Sequence, residues 1–345
     1  MNAAMSLEKT KHHPVMLKQV LSIISPQHGG TFIDCTFGGG GYSKSILKYP
    51  NTKVIAIDRD KKVLEHAKSI KKKFPDRFDF YLNKFSNLDK IINSEIKPKA
   101  IIFDLGLSSF QLSDDERGFS FNSNGFLSME MGINKYSAYN AVNLLDKKQL
   151  SKIIKTFGDE KDARRIAYNI IKHRKKNFIK TSNELASIIN DAKIKKNYKK
   201  NPSTKTFQAL RIFVNRELTE LILGLICASK LLSKGGKLIV VSFHSLEDQI
   251  VKIFFSLYSN FKKNPSRYLP LNENKLEMFN LLSKKALIPD QSEINSNIRS
   301  RSAKLRYGTR NNNDFFNPDE FIKKFNDYFE IDAIKIWKTT ITNLF

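Results

Sequence analysis

The sequence predicts an α/β fold: a Rossmann-like, doubly wound parallel sheet with a helical insertion. Three observations predict it. Short apolar runs recur and each closes on a polar or acidic residue. The first of these leads straight into a row of glycines, Gly38 to Gly41, and then into a helical pattern. Later in the chain, apolar residues switch to three-four spacing over roughly 80 to 90 residues before the last run.

The runs are "TFIDCTF", "TKVIAIDRD", "KAIIFDLGL" and "GGKLIVVSFHS", with "FDFYL" as a further candidate between the second and third. Continuous β-favouring runs of this length suit strands buried on both faces. The stretches "YSKSILK" and "KKVLEHAKSIKKK" separate the first runs with helical spacing, and strand alternating with helix gives a parallel sheet. The insertion holds "NKYSAYNAVNLL", "LSKIIKTF", "DARRIAYNIIKHR" and "NELASIINDAKI", with Ile166, Ala167, Ile170 and Ile171 on one helical face. Phe207, Leu210, Val214, Leu218, Leu221 and Leu225 then keep register along a single long helix, stopped by Gly235 and Gly236. After Arg310, "NNNDFFNPDEFIKKFNDYF" predicts a short helical tail. The division that follows is a sheet domain from 1–125 and 206–310, a basic helical insertion at 126–205 and a tail at 311–345.

Composition narrows the function. No apolar stretch reaches the ~18 residues a membrane span needs. The N-terminus has no apolar core of signal-peptide length. Cys35 and Cys227 both sit in apolar patterns and imply a reducing, cytoplasmic setting rather than a disulfide framework. Lys and Arg number 59 against 34 Asp and Glu, a net +25. The excess is clustered, with 15 basic and 3 acidic residues from Lys161 to Arg211, and 5 basic and none acidic from Asn297 to Arg310. Clustering of this kind favours a polyanionic partner over a uniform lysine bias.

Three ligands compete for the glycine loop. A phosphate-binding P-loop needs Gly-Lys-Ser/Thr at its end, but here Tyr-Ser-Lys-Ser follows the glycines. A dinucleotide fingerprint needs a third glycine where Ser43 or Lys44 stands. S-adenosylmethionine has no pyrophosphate and asks only that the backbone approach closely, which glycine permits. It also asks for an acid after the next strand to accept the ribose hydroxyls. Asp58 lies 20 residues beyond Gly38, where that acid should fall. Phe85 can lie against the adenine, and Asp104 at the end of "IIFDLG" faces the methyl donor at the sheet's carboxyl edge. Taken singly, a strand-end Asp is often a helix cap, the lesser reading for Asp58, and Phe85 could equally be a core residue. Their succession at strand ends carries the assignment.

With these blocks in place, the sequence resembles the bacterial small-subunit ribosomal RNA cytosine-N4 methyltransferases. The resemblance runs from "HHPVML" to "RSRSAKLRYGTR" and rests on seven blocks in order: "DCTFGGGGYS", "AIDRD", "DLGLSSFQL", "RGFSF", "STKTFQALRIFVNREL", "VVSFHSLEDQIVK" and "RSRSAKLR". It implies a class I methyltransferase sheet and methyl transfer from S-adenosylmethionine to the exocyclic amine of one cytosine in the decoding region. It implies small-subunit ribosomal RNA, in an assembled or nearly assembled subunit, as partner, and it leaves a homodimer open. Carried over block by block, cofactor contacts fall on Gly40, Gly41, Tyr42, Asp58, Phe85, Asp104 and Gln111. The chain departs from the family at Tyr42, where His is usual, and at Phe110, where Pro is usual. Ser128, Glu130 and Gly132 replace Asp, Arg and Asp. The residues after Arg310 extend past the usual family end.

The chemistry asks for an acceptor that draws a hydrogen from the conjugated amine, and for in-line placement of its nitrogen ~3 Å from the methyl. Asp104 is the candidate acceptor, with Ser108 or Ser109 assisting. The Pro-Pro-aromatic tail common to amino-methyltransferases is absent after it. Phe110, Phe119, Phe121 and Phe243 are candidates to stack on the base. His244 suggests a base, but is more simply a structural histidine bonded to a nearby acid. No metal is needed, and His12 and His13 lack partners at zinc-ligand spacing. Lys205 and Arg211, near the start of a helix, could hold RNA phosphates or equally be solvated. Two other classes remain in view at this stage: a nicotinamide oxidoreductase, against which the missing glycine speaks, and an idle RNA-binding module, for which only the altered "SMEMG" block speaks.

Overall fold

The structure is a computed structural model, and it describes residues 14–112, 114–194, 201–260, 277–315 and 318–336. His12, His13 and the lysines between 195 and 200 lie outside the described residues.

A seven-stranded sheet forms the centre, in the order β3-β2-β1-β4-β5-β7-β6. The strands are β1 Gly30–Asp34, β2 Thr52–Asp58, β3 Phe78–Leu82, β4 Ala100–Asp104, β5 Lys237–Ser242, β6 Phe279–Asn280 and β7 Lys304–Arg310. β1 to β5 pair in parallel, with Asp34 beside Ile102 and Asp104 beside Val241. The apolar runs of the sequence thus lie in the middle of the sheet, and both faces are covered. Alternate side chains go to opposite sides. Ile33, Ile55, Ile57, Ile101, Phe103, Leu238 and Val240 join one cluster, while Phe32, Val54, Ala56, Ile102, Ile239 and Val241 join the other. Phe103 is fully buried, and its truncation to Ala would cost about 3–5 kcal/mol.

The sequence reading misses one strand that matters. β7 runs antiparallel between β5 and β6, pairing Val241 with Leu305. Its sequence "KLRYGTR" reads as a basic patch, yet Lys304 and Arg306 bind Asp248 at 2.9 and 2.7 Å, and Arg310 is buried. Three of the five cations of that cluster therefore belong to the fold.

The single long helix expected after Ser203 is two. Thr204–Asn215 and Glu217–Leu231 meet at Arg216, whose φ of 53° and ψ of 36° are left-handed. A non-glycine residue there costs about 1–2 kcal/mol. The apolar register continues through the break because both helices bury that face, with Leu210, Leu218, Leu221 and Leu225 fully or almost fully enclosed. The break also frees Asn215 to bind elsewhere. Its amide nitrogen donates to the Met129 carbonyl, and its Oδ1 accepts from the Met131 amide, each at 2.8 Å.

The inserted residues are helical where described: Ala138–Leu144, Lys147–Gly158, Ala163–Arg174 and Ser182–Ala192. Ser137 with Asn140, Asp146 with Gln149, and Thr181 with Glu184 form capping boxes, which satisfy the first free amides of three of these helices. Ile166, Ala167 and Ile170 are buried on one face, as spaced. Two short helices, Asp319–Lys323 and Asn326–Asp332, follow Arg310. No helix among the described residues is long and apolar enough to cross a membrane.

Candidate functional site

A cavity of about 720 Å³ opens at the carboxyl edge of the sheet, where β1, β2, β4 and β5 end. Open parallel sheets bind ligands at this edge, because strand-end loops and helix N-termini converge there. Glycine loop, Asp58, Phe85, Asp104, Ser108, Phe110, Gln111 and Phe243 all line it.

The glycine loop is tied to the second strand. The Gly38 amide donates to Asp58 Oδ2 at 2.7 Å, and the Asp60 amide donates to Oδ1 at 2.9 Å. Gly38 adopts φ 49°, where a side chain would be strained. Gly41 has a different reason to be glycine: a Cβ would stand 2.4 Å from the Pro14 ring. Burial pushes the Asp58 carboxyl up to about 6, despite the two amides that favour its charge.

The predicted contacts do not all point the same way. Gly41, Tyr42, Asp58, Phe85, Asp104 and Gln111 line the cavity, whereas Gly40 does not. A Cβ on Gly40 would meet Ile70 and Phe37 at 2.7 and 2.8 Å, so this glycine serves helix packing behind the loop. Tyr42 is buried and its hydroxyl donates to the Val15 carbonyl. Phe85 stands edge-on to Phe103, with centroids 5.2 Å apart. Gln111 is held on both sides. Its Nε2 donates to Asp60 Oδ2 at 3.1 Å and its Oε1 accepts the Ser108 amide at 2.9 Å. Asp60 in turn receives both Arg117 nitrogens, at 2.6 and 2.9 Å. Burial raises the Asp60 carboxyl, but Arg117, the Lys62 amide and Gln111 together hold it below the ordinary range. This Asp60–Arg117 brace lies in the "AIDRD" and "RGFSF" blocks, yet nothing in the spacing pairs them.

Asp104 differs from Asp58. Its backbone amide donates to Thr36 Oγ1 at 2.7 Å, which joins β4 to β1. Its Oδ1 is buried and has no hydrogen-bond partner among the described residues. Burial lifts its carboxyl well above the ordinary range, and the charges of Asp34 and Glu247 lift it further. An unpaired buried acceptor costs about 1–3 kcal/mol. Its retention in a cavity wall suits a group that meets its donor in a ligand. Ser108 Oγ accepts the Gln111 amide at 3.3 Å. Ser109 opens the short helix Ser109–Leu112.

Of the four candidate stacking rings, two reach the cavity. Phe110 and Phe243 line it; Phe119 is buried in the core, and Phe121 packs edge-on to Phe207. His244 caps the helix Ser245–Tyr258, and its Nε2 lies 3.1 Å from Glu247 Oε1. Burial raises Glu247, but His244 and the Phe243 amide pull it below the ordinary range. Glu217, His244 and Glu247 bring ligand-type atoms within 4.8 Å of one another. Arg211 already donates to both Glu217 oxygens, at 2.9 and 2.8 Å, which opposes a dication there. The same bonds take Arg211 away from RNA phosphates, and Lys205 is turned to Asp159. The outer wall is built from Pro14 and Val15 on one side and Asn297 and Arg299 on the other, residues in or beside blocks that carry the resemblance but that no spacing brings together.

The altered block Ser128–Gly132 closes on itself. Ser128 Oγ donates to Glu130 Oε2 at 2.8 Å. A Cβ at Gly132 would stand 2.0 Å from the Arg59 carbonyl oxygen, so the chain needs glycine there. Arg59 holds the block from beneath through the Ile133 carbonyl and Asn134, at 2.8 and 3.0 Å.

The residues fit S-adenosylmethionine in kind. The cavity has the volume for it, one strand end presents a carboxylate fixed by two amides, and the next presents an unpaired buried oxygen to a ligand that carries positive charge.

Comparison with known proteins follows the same line. A sequence model of the MraW methylase family matches residues 9–311. A protein named ribosomal RNA small subunit methyltransferase H from Ehrlichia ruminantium is 45% identical over 300 residues, covering 86% of this chain and 98% of its own. Its namesake from Ehrlichia canis is 46% identical over 299 residues, with the same coverage. Among solved structures, an rRNA methylase from Streptococcus thermophilus aligns over 88% of this chain and 99% of its own, at 10% identity and a TM-score of 0.41.

Proposed function

The chain belongs to the MraW methylase family, and from that premise we propose that it transfers a methyl group from S-adenosylmethionine to the exocyclic N4 amine of a specific cytosine in the decoding region of small-subunit ribosomal RNA. The observation that carries this reading is the unpaired Oδ1 of Asp104 in the wall of the strand-end cavity, beside a glycine loop anchored on Asp58.

The cofactor supplies an electrophilic methyl on a sulfonium. The protein's part is to bind, orient and hold a proton. Asp58 accepts the ribose hydroxyls while its amide bonds keep the glycine loop in place. Phe85 gives the adenine an apolar wall. Asp104 accepts a hydrogen bond from the cytosine amine, which localises the nitrogen lone pair as the nitrogen turns tetrahedral. The bond strengthens toward the transition state, where it counts for rate. Phe110 or Phe243 stacks on the base. Ser108 and Ser109 support Asp104, and Gln111 holds the loop between them. We assign the assembled or nearly assembled small subunit as substrate and residues 126–205 to its RNA.

Small subunits lacking the modification, incubated with the protein and tritium-labelled S-adenosylmethionine, should gain label that digests to N4-methylcytidine. Label recovered in any other nucleoside, or none, overturns the reading.

A further inference from the structure

Away from the cavity, three aromatic rings from three segments come together at the surface. Phe126 lies 5.2 Å from Tyr139 between ring centroids, and Tyr139 lies 6.3 Å from Phe178. Phe126 is 51% exposed and Phe178 42%. Large apolar rings at that exposure lose the burial that normally fixes a side chain, yet the backbone beneath them is firmly bound. Phe126 bridges Thr181, and the Leu127 amide donates to the Lys180 carbonyl at 2.9 Å. The Tyr139 amide donates to the Leu127 carbonyl at 2.7 Å. Asn143 grips Ile179 on both sides, donating to its carbonyl at 2.8 Å and accepting its amide at 3.0 Å. The rings are therefore held in place before any partner arrives, which lowers the ordering cost of binding.

The surroundings are cationic. The stretch 172–180, "KHRKKNFIK", carries five Lys and Arg and no acid. Lys172, Lys175, Lys176 and Lys180 are exposed. The neighbouring acid, Glu184, accepts the amides of Lys180 and Thr181, at 2.7 and 3.0 Å. Apolar rings ringed by cations suit a partner with flat apolar faces strung on a negative backbone. A protein partner with a purely apolar face would leave these lysines unmatched.

The platform is also joined to the cavity along the chain. The segment that leaves the cavity wall at Gln111 passes through Arg117 and Phe126 and returns to the wall at Met131. The Ser182 hydroxyl donates to the Gly118 carbonyl at 2.8 Å, locking that segment to the helix behind the platform.

We propose that Phe126, Tyr139 and Phe178 form a stacking platform for an unpaired base of the RNA substrate outside the target nucleotide, with Lys175, Lys176 and Lys180 on the adjoining phosphates. This rests on RNA being the substrate. Base–aromatic stacking contributes ~1–3 kcal/mol per base, so losing it weakens binding roughly 5- to 100-fold.

The test uses fluorescence anisotropy with a short, labelled, mixed-sequence single-stranded RNA, and the same strand with abasic positions. Phe126→Ala with Phe178→Ala should lose roughly 5- to 100-fold on the normal strand, at an unchanged salt slope, because stacking releases no counterions. Unmodified protein should lose a similar factor when bases are removed from the strand, which needs no variant. Phe126→Tyr with Phe178→Tyr should restore binding. Lys175→Glu with Lys176→Glu should flatten the salt slope instead. Equal affinity of the double Ala variant on the normal strand, or a further loss by that variant on abasic RNA as large as its loss on the normal strand, overturns the platform. So does a shift of oligomeric state in sedimentation with RNA affinity intact, which would make the rings a self-association surface. Cofactor affinity by calorimetry should not move in any variant. If subunits go unmethylated while the oligonucleotide results hold, the methyl-transfer reading fails and the platform stands.

Discussion

Two carboxylates end the strands on either side of β1, and they are treated in opposite ways. Asp58, after β2, has each oxygen occupied by a backbone amide. Asp104, after β4, keeps Oδ1 buried and unpaired. Both are raised by burial. The first is a fixed part of the scaffold that can accept further donors without moving. The second is incomplete in the free protein. The contrast teaches that binding and chemistry need different preparation: a binding acid is worth most when already oriented, and a reacting acid when its bond forms late.

The sharpest way to break this contrast is Asp104→Asn. It keeps the shape and one acceptor but removes the group that can take up a proton. If Asp104 acts in the transition state, kcat at saturating cofactor should fall ~10²-fold or more, in the range for a group that manages a proton. A raised KM for S-adenosylmethionine with kcat intact would move Asp104 to the binding side. Next in size is Asp58→Ala. Hydrogen bonds to charged groups contribute ~1.5–3 kcal/mol each, so calorimetry should show cofactor affinity falling at least tenfold. An unchanged dissociation constant would remove Asp58 from the site.

The pH dependence comes third. Asp58 is pushed up to about 6 in the free protein, so it is protonated below that pH. A ligand that prefers its charged form binds with release of a proton there. Cofactor affinity should thus weaken as pH falls below 6, by up to about tenfold per unit. Asp58→Asn should flatten that limb of the calorimetric profile; a flat profile in the unmodified protein would break the link. The smallest effect should come from Ser108→Ala. Its hydroxyl makes a long bond to the Gln111 amide, at 3.3 Å, so kcat should change by less than about threefold. A larger loss would bring Ser108 into the chemistry beside Asp104.

Much of this contrast was legible in the sequence. The strand ends carry their acids because each apolar run stops where the chain leaves the buried sheet, and Asp58 and Asp104 occupy such stops. What the sequence could not display was orientation. Four adjacent glycines look alike, yet Gly38 donates to Asp58 while Gly40 faces Ile70. The break at Arg216 left no trace, since apolar spacing continues on both sides and no glycine or proline marks the turn. β7 escaped because its basic residues look solvated, while Arg306 and Arg310 are bound within the fold and Lys304 pairs with Asp248 at the surface. Pairings such as Asp60 with Arg117 depend on loops meeting in space, 57 positions apart, which no local pattern records.

The outer wall of the cavity has a consequence in time. Pro14 and Val15 meet Asn297 and Arg299 around the same space, and next to them the Met16 amide donates to Glu293, 277 positions later. During synthesis, the glycine loop and both strand-end acids leave the ribosome long before the residues that enclose them. A nascent chain therefore carries the parts of its pocket without a finished pocket. The wall of the cavity is complete only once Asn297, Arg299 and the turn that carries them have been made. Premature stops upstream of that turn should yield chains that bind nothing, rather than weak enzymes.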